Sequence, residues 1–326
     1  MRQIYEYHPT IAYRFIPGLK VRVPHESGGY LIRTNSDGFR CEHEFTRPKT
    51  PGKRRILLFG DSFTAGDGVS NPRRYGDALE TLIPGLEVFN FGLSGTGTDQ
   101  HYLIWREWAK GIEADAVIIT TLVENIRRVN SRSRPFVSDT GEDRIFAKPY
   151  FELRSGSLLL HGVPVKREPL TAEEGAEPAA GVARFGRFPL LRRWVNRMGL
   201  RDFVQKASRY QPLPEFDDLR GREWALMKAV LLEWIRQVPQ PVLLAPFPVS
   251  QYIERTASAN NCIARFREAA AEAGCQFHDV LPDLYRYTME ERRGFRFPVD
   301  VHPTPAGHEA FARSLVPAVE RLLARS

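Results

Sequence analysis

"RRILLFGDSFTAGDGV", residues 54–69, carries an apolar run into Gly-Asp-Ser and then dissolves into small residues and glycine. Ile56, Leu57, Leu58 and Phe59 succeed one another without polar interruption, the pattern of a strand buried on both faces of a sheet. An ordinary turn would explain the Asp-Ser pair at its end, because both residues cap short helices well. A strand that delivers a hydroxyl to the rim of a sheet would explain it too, and that reading requires partners elsewhere in the chain.

Four further runs have the same character: "EVFNF" (87–91), "AVIITTL" (116–122), "PVLLAPF" (241–247) and "CQFHDVL" (275–281). Helical patterns lie between them. In "NPRRYGDALETLIPG", Tyr75, Leu79 and Leu82 share a face, Pro72 suits a first turn, and Pro84-Gly85 ends the helix. Thr98 is the expected cap of "DQHYLIWREWAKG", with Leu103 and Trp108 facing the core and Gly111 stopping it. "DDLRGREWALMKAVLLEWIRQV" turns Ala225, Val230, Leu231 and Trp234 toward the sheet. Two more helices are expected over about 258–273 and from Thr304 to near Ala324. Strand and helix in alternation predict a doubly wound α/β fold with a five-stranded parallel sheet and right-handed crossovers.

Two regions depart from that alternation. Residues 1–50 form a strand-rich extension, in which "SGGYLIRTNSDGFR" reads as a strand pair about an Asn-Ser-Asp-Gly turn. A long insertion, 131–215, comes after the third core strand. It holds "KPYFELRSGSLLLHGVPV", a hairpin about Ser155-Gly156, and the polar "REPLTAEEGAEPAAGVARFG", read as a loop. The insertion leaves the carboxyl end of a strand, where a substrate cap or plain decoration would both fit. The α/β domain itself is expected over 51–326.

The 326 residues are 42% hydrophobic and 26% charged, ordinary for a globular chain. No run approaches the length of a membrane span, and the start lacks a signal-peptide core, so a cytoplasmic protein is expected. Three scattered cysteines (Cys41, Cys262, Cys275) fit a reducing compartment and lack metal-ligand spacing. The formal charge of +7 concentrates in "NIRRVNSRSRP" and "RFGRFPLLRRWVNRMGLR", but neither is a nucleic-acid motif, and no nucleic-acid partner is expected.

Ligands of open parallel sheets bind beyond the carboxyl ends of the strands. The first such end carries Gly60-Asp61-Ser62, the second "GLSGTGTDQ", the third Val123-Glu124-Asn125. "VDVHPTPAGH", before the last helix, brings Asp300 and His302. That set matches acyl transfer. Ser62 needs a base, which His302 can be; the imidazole needs an orienting carboxylate, which Asp300 can be. The Ser62 N–H, the Gly95 N–H and the Asn125 amide can face an oxyanion. The glycines of "GLSGTGTDQ" lack the Lys-Ser/Thr pair of a phosphate loop and the spacing of a dinucleotide site. Asp61, Glu124, Arg127 and Arg128 are candidate substrate contacts, with Arg132 and Arg134 nearby. Turn organisation for Asp61 and a solvated face for the arginines are the plainer alternatives, against recognition of an anionic group. His278 and His308 are read as structural, and Trp105, Trp108, Trp224 and Trp234 as core.

"FGDSFTAG", "NFGLSGTGTDQ", "ENIRR" and "DVHPTPAGH" together resemble the four sequence blocks of the SGNH hydrolases, or GDSL-type esterases, over roughly residues 54–320. The resemblance implies a three-layer α/β/α sandwich with a flavodoxin-like sheet. It implies Ser62 as nucleophile, Gly95 and Asn125 as oxyanion donors, and Asp300 and His302 as the rest of a triad, without cofactor or metal. Two departures stand out: the third block is Val123-Glu124-Asn125-Ile126, where the family pattern is Gly-x-Asn-Asp, and the last block is Asp-x-His rather than Asp-x-x-His. The expected activity is removal of a small O-acyl group, acetyl above all, from a carbohydrate or other small molecule, with an anionic substrate among the possibilities. O-acyl transfer to a sugar hydroxyl is the first alternative, and a nonenzymatic carbohydrate-binding or assembly protein on the same shell is the second.

Overall fold

In the computed structural model, which describes residues 3–137, 143–171, 173–175 and 210–325, the chain opens with two antiparallel ladders. β1 (Tyr5–His8) pairs with β2 (Ala12–Phe15), and β3 (Lys20–Val23) with β4 (Tyr30–Arg33). The Asn-Ser-Asp-Gly turn exists: Asn35 Oδ1 accepts from the Asp37 and Phe39 N–H groups. It does not join a strand pair, however. β4 finds its partner upstream in β3, across the glycine-rich loop at Gly28-Gly29. Ile11, Phe15, Tyr30, Ile32 and Phe39 are buried in the same hydrophobic core as the sheet, so the extension packs directly on the α/β unit.

β5 (Arg54–Gly60), β6 (Leu86–Asn90), β7 (Ala116–Thr120), β12 (Val242–Leu244) and β13 (Gln276–Phe277) form one sheet in the order β13-β12-β7-β5-β6. All its ladders are parallel. Numbering only these five, the order is 2-1-3-4-5, the flavodoxin-like arrangement. Every residue of β6 and β7 is buried, and all of β5 except Arg54. Apolar side chains on both faces demand two covering layers. One is α2 (Tyr75–Leu82) with α10 (Pro305–Leu323); the other joins α3 (Thr98–Ile104), α4 (Asn125–Val129), α5 (Arg222–Gln237) and α7 (Asn260–Ala273). The fold is a three-layer α/β/α sandwich. The remaining short helices are α1 (Ser62–Ala65), α6 (Ser250–Ile253), α8 (Leu281–Leu284) and α9 (Met289–Arg293).

Local details correct three expectations. Gly97, not Thr98, occupies the cap of α3, and Thr98 is its first residue. Ala225 is exposed, because the buried stripe of α5 runs through Trp224, Met227, Val230, Leu231 and Trp234. Trp108 is only partly buried, whereas Trp105, Trp224 and Trp234 are core. Thr304 does cap α10, accepting from the Gly307 N–H.

The insertion opens with two hairpins, β8 (Ser133–Val137) with β9 (Asp143–Ala147), and β10 (Tyr150–Arg154) with β11 (Ser157–His161). Ser155 and Gly156 join the second pair with φ of 50° and 81°, the double left-handed turn that matches strand twist and favours glycine. A buried ion pair, Lys148 Nζ to Asp99 Oδ2 at 2.5 Å, fastens the insertion to α3. The basic stretch 184–201 and most of the polar loop 167–186 lie outside the described residues. No helix among the described residues is long and apolar enough to cross a membrane.

Candidate active site

The rim at the carboxyl ends of β5, β6 and β7 is built from loops that begin with Gly60, Asn90 and Thr120. Beneath the first loop, the hydroxyls of Thr64, Tyr75 and Thr120 form a closed triangle with sides of 2.7–2.9 Å, and Thr120 also donates to the Phe59 carbonyl. A Cβ at Gly60 would lie 1.9 Å from Thr64 Oγ1 and 2.7 Å from Thr120 Oγ1. Glycine is therefore required before Asp-Ser by space. Gly60→Ala is expected to destabilise the fold by about 3 kcal/mol, the upper range of core overpacking, read as a drop in the midpoint of chemical unfolding.

Asp61 caps α1. Its Oδ1 accepts from the Phe63 N–H, and its Oδ2 from Arg128 Nη1, each at 3.0 Å. Arg128 Nη1 also donates to the Thr96 carbonyl. One guanidinium nitrogen thus ties the loop of Ser62 to the loop of Gly95, from the same short helix that begins with Asn125. Burial pushes the Asp61 carboxyl up, with Arg128 opposing. The fork of Arg127 is likewise occupied, by Glu215 at 2.5 Å and by the Pro212 carbonyl. Glu124 lies 4.0 Å from Arg128 and is nearly half exposed. Of the four candidate substrate contacts, Asp61, Arg127 and Arg128 therefore make strong internal bonds.

The candidate oxyanion donors have none. The Asn125 side chain is buried, and neither its Oδ1 nor its Nδ2 has a hydrogen-bond partner among the described residues. The backbone N–H groups of Ser62, first in its helix, and of Gly95 also donate to nothing among the described residues. Gly95 has φ of 76°, a conformation that suits glycine, and a Cβ there would meet the Tyr13 hydroxyl at 2.7 Å. Tyr13 donates to the Ser94 carbonyl, and burial raises its phenol to about 12.

Asp300 and His302 meet directly. Asp300 Oδ1 lies 2.5 Å from His302 Nδ1 and also accepts the His302 backbone N–H. The short Asp-x-His spacing permits this contact because the loop folds both His302 groups onto one carboxylate oxygen. His302 reaches the rim of Ser62: its ring centroid is 5.7 Å from that of Phe63, and its Nε2 is 3.9 Å from Asp67 Oδ2. The Asp67 N–H in turn donates to the Ser62 carbonyl. Ser62 Oγ itself is not hydrogen-bonded to the imidazole here; such bonds commonly tighten only when substrate is bound. Burial works against charge on both groups, yet the Asp300–His302 hydrogen bond and the carboxylates of Asp67 and Asp300 raise the imidazole, and the imidazole lowers Asp300.

Because His302 is raised in the folded chain, its stabilising contribution is full below the unfolded histidine value and is lost as pH rises through the folded one. The neutral imidazole appears over that same upper range. Its titration is expected above the ordinary 6.5 of histidine, and Asp67→Asn should move it to lower pH. NMR titration of the His302 ring in both proteins checks this.

Sequence reading misses Asp67, although it lies inside the same "GDSFTAGDG" run. It also misses His25 and Tyr13, which no local pattern marks. His308 is buried within α10, with its Nδ1 accepting from the Tyr75 N–H, and burial lowers it to about 3, a packing role. His278 bonds Ser314. No metal-holding cluster is found among the described residues.

No family model matches the chain, and no curated protein matches it. Among solved structures it is similar to a member of the lipolytic protein G-D-S-L family from Veillonella parvula, at 14% identity and TM-score 0.43, covering 82% of this chain and 100% of that one. It is similar to the lipase/acylhydrolase from Enterococcus faecalis at 14% identity and TM-score 0.44, covering 82% and 96%. The acetylxylan esterase Axe2 from Geobacillus stearothermophilus, as a catalytic mutant, is similar at 15% identity and TM-score 0.41, covering 83% and 96%.

Proposed function

We propose that the chain is a serine ester hydrolase of the SGNH type, with Ser62 as nucleophile, His302 as base and Asp300 as its orienting carboxylate. The observation that carries this reading is the buried Asn125 amide without a partner among the described residues. Burying such a group unsatisfied costs about 1–3 kcal/mol, which a binding role for a developing negative charge explains.

Ser62 Oγ attacks the ester carbonyl carbon while its proton passes to His302 Nε2. The carbonyl oxygen becomes the oxyanion, met by the Ser62 and Gly95 N–H groups and Asn125 Nδ2. Collapse breaks the bond to the alcohol, which leaves with the proton from His302. Water then attacks the acyl-enzyme by the same route and releases the acid. Asp300 keeps Nδ1 protonated and stabilises the imidazolium throughout.

Ser62 is only 4% exposed, which favours a small acyl group such as acetyl. A polar alcohol, a carbohydrate among them, suits a rim lined by Asp67, Ser94 and Arg134. The Arg134 guanidinium approaches Gly95, its Nη2 standing 3.7 Å from the Cβ that glycine lacks, and an anionic group on the substrate would pair with it. Labelling with a fluorophosphonate and peptide mapping tests the core of this reading. Stoichiometric modification at Ser62 is expected, together with faster hydrolysis of p-nitrophenyl acetate than of the octanoate. An unlabelled Ser62 in folded protein sinks it.

A further inference from the structure

The second oxygen of Asp300 does not face His302. It faces the N-terminal extension, where His25 Nε2 stands 3.1 Å from Asp300 Oδ2. The proton on that contact can be assigned from the other side of the ring. The Ser27 backbone N–H donates to His25 Nδ1, so Nδ1 is the acceptor and Nε2 carries the hydrogen. The His25 side chain is only 10% exposed. Its ring is wedged between Phe297, 4.5 Å away centroid to centroid, and Tyr30 at 5.7 Å, edge-on to both. Ser27 Oγ stands 2.8 Å from the same Nδ1 and donates its hydroxyl proton there, the second contact that leaves Nδ1 an acceptor. The neighbouring Glu26 accepts the backbone N–H groups of Asp300, at 2.6 Å, and of Val299.

A carboxylate anchored at one oxygen only can rotate about its Cβ–Cγ bond, and the imidazole it holds would swing with it. Val299 and Val301 on either side are 87% and 67% exposed, so neighbouring packing does not fix this loop. Backbone pairing of Phe297 with His302 and of Arg296 with Pro303 closes its base, and residues 25 and 26 hold its tip at Val299 and Asp300.

We propose that His25 is a positioning residue for the triad. By donating its Nε2–H to Asp300 Oδ2, it fixes the plane in which Asp300 Oδ1 presents His302 to Ser62. The inference rests on the hydrolase reading above and extends it to a fourth side chain, supplied by the N-terminal extension. Misplacing a catalytic group by about 1 Å costs up to about a hundredfold in rate, and the effect falls on kcat because His25 does not touch the ester.

Two substitutions separate the hydrogen bond from the ring. His25→Phe keeps an aromatic side chain against Phe297 and Tyr30 but removes the donor. His25→Gln keeps an amide N–H at about the same reach but removes the ring. The readouts are kcat and KM for p-nitrophenyl acetate, the rate of fluorophosphonate labelling at Ser62, and the low-field NMR signal of the His302 Nδ1–H. If His25 positions Asp300, Phe lowers kcat and the labelling rate about 10- to 100-fold with KM within about twofold, and shifts or broadens the signal. Gln restores the rates to within about threefold. The opposite order, with Phe active and Gln impaired, overturns the inference and leaves only ring packing. So does a labelling rate equal to wild type in both variants. If wild-type Ser62 is not labelled at all, the hydrolase reading falls and takes this inference with it. If Ser62 is labelled and the His25 series is flat, only the inference falls.

Discussion

Alanine at position 302 is expected to lower kcat/KM for a small ester by about 10⁴- to 10⁶-fold, and Ser62→Ala by a similar factor. The size reflects the chemistry removed. Without the imidazole, the Ser62 hydroxyl must lose its proton to water while attacking, and nothing returns a proton to the leaving alcohol. The double variant should be no worse than either single one, because nucleophile and base act as a unit. The residual rate, supplied by the oxyanion donors, should equal that of the singles within a few-fold. The fold should survive both changes, since among the described residues the imidazole hydrogen-bonds to Asp300 alone and is 19% exposed. Steady-state kinetics beside thermal unfolding checks the pair. Retention of more than a tenth of the wild-type rate in either variant ends the triad assignment.

Asn125→Ala is the second large effect, and its two readouts move in opposite directions. Loss of one oxyanion donor typically removes about 10²- to 10³-fold from kcat. Stability should hold or rise, by about 1 kcal/mol, because the substitution deletes a buried amide with no partner among the described residues. Had Asn125 served merely as a structural amide, alanine would cost about 1 kcal/mol, as loss of a cap does, with little change in rate. Urea unfolding and single-turnover acylation on the same preparation distinguish the two. A destabilised, fully active variant would remove Asn125 from the site.

The strands are legible in the sequence because each needs only its own residues: an apolar run such as 56–59 is buried on both faces wherever it sits. The place of Ser62 is legible because it follows the end of an apolar strand, and the Asp300–His302 contact because the two lie two positions apart in sequence. Partnerships are not. The turn at Asn35 can be read from its own residues, but not that β4 turns back onto β3, the strand before it, instead of pairing across that turn. The arginines after Asn125 look alike in sequence. They are separated by Glu215, 88 residues from Arg127, and Asp61, 67 residues from Arg128. The helix face errs by one position at Ala225, because 3.6-residue periodicity leaves the edge of an apolar stripe undecided until the neighbours are known.

The contact between His25 and Asp300 spans 275 positions, and it joins a small two-stranded ladder to an exposed loop. Such peripheral ladders open at lower free energy than the central sheet. On the hydrolase reading, rising urea should therefore abolish ester hydrolysis at a concentration where circular dichroism still reports an intact fold, and dilution should restore it without a refolding lag. On that proposal the extension is a fuse: the first part to let go is the part that would hold His302 in register.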